Sequence, residues 1–72
     1  MDNNKNRIKL KAKHNNCEFI IREDLPGVGY YLYRYENGKD THDYLQDTLE
    51  ICKEQAFEDW GVPMDNWEEF KE

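Results

Sequence analysis

Seventy-two residues with a formal net charge of -6 and 38% hydrophobic side chains describe one small acidic domain. No run approaches the ~20 apolar residues that a membrane-spanning helix needs, and the N-terminus is polar and basic where a secretory signal carries an apolar stretch. The acidic balance argues against a nucleic-acid binder, although a local basic face would escape that argument.

The charge is unevenly placed. Residues 1–13 carry five cations against Asp2, whereas residues 40–72 carry only Lys53 and Lys71 against eleven carboxylates. A basic arm and an acidic half can satisfy each other within one fold or across a dimer. A chain this short buries only ~60% of the surface its unfolded form exposes, so a partner subunit is a natural source of extra stability. With no sign of secretion, Cys17 and Cys52 are expected to stay reduced in a cytoplasmic, bacterial-type protein.

"NRIKLKAK" alternates Ile8, Leu10 and Ala12 with Arg7, Lys9, Lys11 and Lys13, the period of a half-buried antiparallel strand. The first five residues are expected to be a flexible lead-in. "KHNN" supplies turn residues, "CEFIIRE" reads as a second strand, and "DLPG" turns the chain again. In "VGYYLYRYE" the third strand puts Val28, Tyr30 and Leu32 on one face and Tyr31, Tyr33 and Tyr35 on the other. Asn37-Gly38 then tolerates the positive φ angles of a tight hairpin, which makes "DTHDYLQ" a fourth strand. The competing start of a helix near Thr41 is less well supported than one at "DTLE", with Asp47 as N-cap and Glu50 three residues on.

That helix is expected over about residues 47–60, with Leu49, Cys52, Ala56 and Trp60 on its apolar stripe and Gly61 and Pro63 ending it. Ile51 and Phe57 fall off the stripe, to be covered by the tail or by a partner. Asp65-x-x-Glu68 in the tail resembles a second cap and predicts a short helical turn. The fold class is therefore α+β, in two layers: an antiparallel meander of three to four strands packed by one helix, in a single domain spanning 1–72.

The candidate chemistry is thin. His14, Cys17, His42 and Cys52 are too few for a structural zinc site unless all four converge. Asp40, His42, Asp43 and Asp47 could form a general-base or cation cluster, but turn and cap roles already explain them. No glycine-rich phosphate loop or nucleophile elbow is present. The reading is that the chain is not an enzyme and uses no cofactor or metal. The best site candidate is the second face of the sheet, where Tyr31, Tyr33 and Tyr35 would stand beside Lys9, Lys11 and Lys13 if the first strand neighbours the third. Such a face can stack bases or flat ligands. It can equally bury tyrosine rings against a second subunit, the favoured reading for an acidic chain. Ile51 and Phe57 are further candidate interface residues.

The stretches "LPGVGYYLYRYE" and "DYLQDTLEICKEQAFEDWGVPMDNWEE" resemble a group of small bacterial proteins of uncharacterised function. That resemblance implies a short antiparallel sheet with a Thr-Leu-Glu-capped helix, favours a strand at Thr41–Gln46, and brings no activity. "DLPG" and "DTLE" are separately similar to HicB-type antitoxins, whose layers are also strands followed by a helix. In that family the two motifs lie closer together, whereas a hairpin separates Asp24 from Asp47 here. Only the layer architecture carries over. The expectation is a non-catalytic interaction module, self-associating or docking another protein, with no membrane partner. The runner-up is a ligand- or nucleic-acid-binding sheet face.

Overall fold

The computed structural model describes residues 9–24 and 28–70. The expected flexible lead-in, Arg7 and Ile8 of the first strand, and Pro26-Gly27 of the second turn lie outside those residues. The elements run β1 (Lys9–His14), β2 (Cys17–Glu23), β3 (Tyr30–Glu36), β4 (Lys39–Gln46), α1 (Leu49–Trp60) and β5 (Glu68–Glu69). The strands form one antiparallel sheet in the order β4-β3-β2-β1-β5. The α+β expectation holds, with five strands in place of three to four.

Local chemistry accounts for the turns. Asn15 and Asn16 join β1 to β2 at φ 52° and 64°, and Asn37 and Gly38 join β3 to β4 at φ 55° and 77°. Asparagine and glycine are the residues that occupy this left-handed region at least cost. Gly29 is held more tightly: at φ 141°, a Cβ there would lie 2.5 Å from the Gln46 carbonyl oxygen. Its carbonyl accepts from the Asp24 amide at 2.9 Å, closing the loop between β2 and β3. Val28, expected to share the face of Tyr30 and Leu32, is 46% exposed because the strand begins only after this glycine.

Strand alternation builds the core. Leu10 and Ala12 from β1, Cys17, Phe19 and Ile21 from β2, and Leu32 from β3 are buried on one sheet face. Cys52 and Ala56 of α1 and Val62 beyond it close over them. Phe19, Ile21 and Leu32 are almost wholly enclosed, each contributing roughly 1.5–3 kcal/mol of transfer free energy. Trp60, in the last turn of α1, packs 5.5 Å from Phe19, 5.3 Å from His42 and 6.1 Å from Tyr44, centroid to centroid. The Arg34 guanidinium sits over the same ring at 5.6 Å. The helix is thus pinned to β2, β3 and β4 by one indole.

The helix ends are capped differently from expectation at one side. Thr48, extended at φ -136°, is the N-cap, and its Oγ1 accepts from the Ile51 amide at 3.1 Å. Asp47 therefore lies one residue outside the cap. Gly61 ends the helix at φ 76°, as its lack of a Cβ allows, and donates to the Phe57 carbonyl at 2.8 Å. Among the described residues no helix is long and apolar enough to cross a membrane.

The tail also differs. The helical turn expected around Asp65–Glu68 is absent, and Glu68–Glu69 instead pair with Lys11 and Leu10 as β5. Asn66 Nδ2 donates to the Lys13 carbonyl at 2.8 Å, and the Phe70 amide donates to the Lys9 carbonyl at 3.0 Å. The outer edge of β1 offers backbone groups that need partners, and Trp67 packs against the core cluster. Together these outcompete a local capping pattern.

The open face of the sheet as candidate functional site

Directly paired residues in an antiparallel ladder point to the same side. The register therefore defines three rows across the face away from α1. The first row runs Lys9, Arg22, Tyr31 and Leu45; the second Lys11, Ile20, Tyr33 and Asp43; the third Lys13, Glu18, Tyr35 and Asp40. Lysines line one border, tyrosines run down the middle, and two aspartates hold much of the far border.

The aspartates reach this face through a β-bulge. In an unbroken strand, residues three apart point to opposite sides. The β3–β4 register shifts between Arg34 and Tyr35, so that Thr41 is the extra residue between Asp40 and His42. Its Oγ1 accepts from Arg34 Nη1 at 2.8 Å and donates to the Arg34 carbonyl at 3.1 Å. Asp40 and Asp43 consequently share the tyrosine side, while His42 falls opposite Arg34 on the helix side and meets Trp60. The candidate cluster of Asp40, His42, Asp43 and Asp47 is thereby divided between two faces.

The tyrosines form a continuous stripe. Tyr31 stacks on Tyr33 with centroids 5.7 Å apart, and Tyr33 meets Tyr35 at 6.3 Å. All three, with Ile20, are half-buried. Partial burial raises the Tyr33 phenol above its ordinary range; Arg22 opposes the rise, and Tyr31, Tyr35 and Asp43 add to it. Leu45 is 49% exposed at the end of the first row. On the other side Phe70 receives the Lys11 ammonium at 5.6 Å from its ring centre, beside Glu68.

The condition on strand order is not met. The tyrosines do not stand beside Lys9 and Lys11, because β2 lies between β1 and β3 and inserts Arg22, Ile20 and Glu18. Ile51 and Phe57 are exposed at 39% and 53%, but they sit on α1, across the sheet from the stripe. Nor does the tail cover them: Trp67 turns into the core and Phe70 meets Lys11. Ile20, Arg22 and Leu45 belong to the face and were not singled out from the sequence, although their alternation with Phe19, Ile21 and Tyr44 carries the signal. Phe70 had no local signal, since its position depends on β5.

The remaining reactive side chains are engaged in packing. Cys52 is fully enclosed, its thiol directed at the Tyr30 carbonyl 3.6 Å away, and burial pushes its pKa up to about 11. Cys17 Sγ accepts from Arg34 Nη2 at 3.2 Å. Among the described residues no three or more His, Cys, Asp or Glu side chains are grouped to hold a metal ion.

Comparison with known families, curated proteins and solved structures finds no match.

Proposed function

We propose that the chain is a non-catalytic protein-interaction module of the cytoplasm, and that its open sheet face docks a second copy of itself. The observation that supports this reading is the stripe of Tyr31, Tyr33 and Tyr35 with Ile20 and Leu45 on the face α1 leaves uncovered. A solvated sheet face ordinarily alternates to polar side chains. This one carries three rings, Ile20 and Leu45 among Arg22 and Glu18, with lysines and aspartates at its borders, and rings and aliphatic groups of this kind are what the core of a protein–protein interface buries. Unbridged Cys17 and Cys52 suit a reducing compartment.

A second reading draws on the same face. Three lysines and three tyrosines share it, and such sets bind single-stranded nucleic acid through phosphate contacts and base stacking. Asp40 and Asp43 on the far border, and rings already stacked on one another, favour protein. Amide shifts followed on dilution, and then with a short single-stranded RNA, separate the two. Self-docking predicts concentration-dependent shifts along β2 and β3 and none on the outer surface of α1. Shifts that appear only with RNA would overturn it.

A further inference from the structure

Resting on that self-docking reading, the charge pattern of the face points to one geometry, and we propose it: two copies pack face to face about a two-fold axis running along the strands. Such an axis exchanges left and right while keeping position along the strand. Each row then lies over the same row of the partner, reversed. Lys11 comes over Asp43 of the second copy and Lys13 over Asp40, each twice by symmetry. At the centre Ile20 lies over Tyr33, and in the first row Arg22 lies over Tyr31, cation on ring. Lys9 brings its aliphatic stem over Leu45.

The alternatives are worse. An axis across the strands and one normal to the sheet are the other two choices. The transverse axis superposes β1 on β1 run in reverse, setting Lys11 over its own copy, Lys9 over Lys13 of the second copy and Asp43 over its own copy. Like charges facing one another oppose association. A normal axis gives no face-to-face contact at all, only edge pairing, through the two-residue, doubly acidic β5 or through β4. That edge carries Lys39, Asp40, His42 and Asp43 and the bulge at Thr41, features that discourage strand addition. The strand-parallel axis also matches how two sheets stack, with strand directions within about 30° of each other and ~10 Å between layers. Glu68, beside Lys11, trims the basic border without reversing it, since Lys9 and Lys13 flank that row.

The bulge acquires a role in this arrangement. Without the extra residue at Thr41, Asp40 and Asp43 would point to opposite sides of the sheet, and one of the two acidic positions would be lost from the interface.

Charge reversal tests the axis separately from the docking itself. Lys11→Glu with Lys13→Glu, and Asp40→Lys with Asp43→Lys, should each weaken self-association on the order of tenfold or more in sedimentation velocity at low salt. All four reversals in one chain should restore it, because every facing pair is again opposite in sign. Far-UV circular dichroism on each variant shows whether the fold is intact. An unmodified chain that self-associates while the reversals leave its dissociation constant unchanged overturns the axis and leaves the docking reading standing. An unmodified chain that stays monomeric overturns both. Under the transverse axis positions 11 and 43 face their own copies and stay like-charged in every variant, while Lys9 gains an opposite charge at position 13, so neither double variant weakens association.

Discussion

Ile20 stands directly opposite Tyr33 in the β2–β3 ladder, at the centre of the face that α1 leaves open. Lys11 and Asp43 end that row and Arg22 and Glu18 flank Ile20 along β2, so this pair is the apolar point that a second sheet would cover. Truncation here removes contact area without touching Phe19, Ile21 or Leu32 behind it. Tyr33→Ala is expected to weaken self-association at least tenfold, the loss typical of a central aromatic contact. Its effect on unfolding in urea should be smaller, about 1 kcal/mol, since the ring is only half-buried in the single chain. Sedimentation and urea titration on one sample check both parts.

The helix start gives a local prediction. Thr48 rather than Asp47 supplies the side-chain oxygen to the Ile51 amide. Thr48→Ala should therefore cost about 1 kcal/mol in urea unfolding, whereas Asp47→Ala should cost a few tenths, its remaining effect being through the helix dipole. Equal losses at both positions would mean that the cap is shared.

How much of this was legible beforehand follows from the range of the interactions involved. The hairpin at Asn37-Gly38 and the stripe of Leu49, Cys52, Ala56 and Trp60 are written in neighbouring residues, so both could be read directly. Asp47 and Thr48 are adjacent competent caps, and the choice depends on where β4 releases the chain after Gln46. β5 could not be read, because Glu68 and Glu69 pair with Lys11 and Leu10, more than fifty residues away. The tyrosine stripe was visible as a period of two. What borders it depended on strand order and on the bulge at Thr41, which no glycine or proline announces.

Cys52 makes stability depend on pH above neutrality. Its thiol is enclosed and its pKa is pushed from the usual 9.0 to about 11 by burial. The folded state therefore holds the proton where the unfolded chain has released it. Stability is complete below pH 9 and falls as pH rises towards 11, by about 2–3 kcal/mol across the window. The raised Tyr33 phenol acts in the same direction above its ordinary pKa of about 10. Urea midpoints at pH 8 and pH 10.5, for the unmodified chain and for Cys52→Ala, isolate the thiol. The variant should lose markedly less stability between the two pH values.

The most direct test of the docking face is the mass of the unmodified chain in solution across a dilution series, by sedimentation equilibrium at low salt. Self-docking through Ile20 and the three tyrosines predicts a mass that rises to twice that of one chain, and a Tyr33→Ala variant that lags behind it at every concentration. A single-chain mass at all concentrations up to about 1 mM, beyond which an affinity carries little meaning for a specific interface, would contradict it.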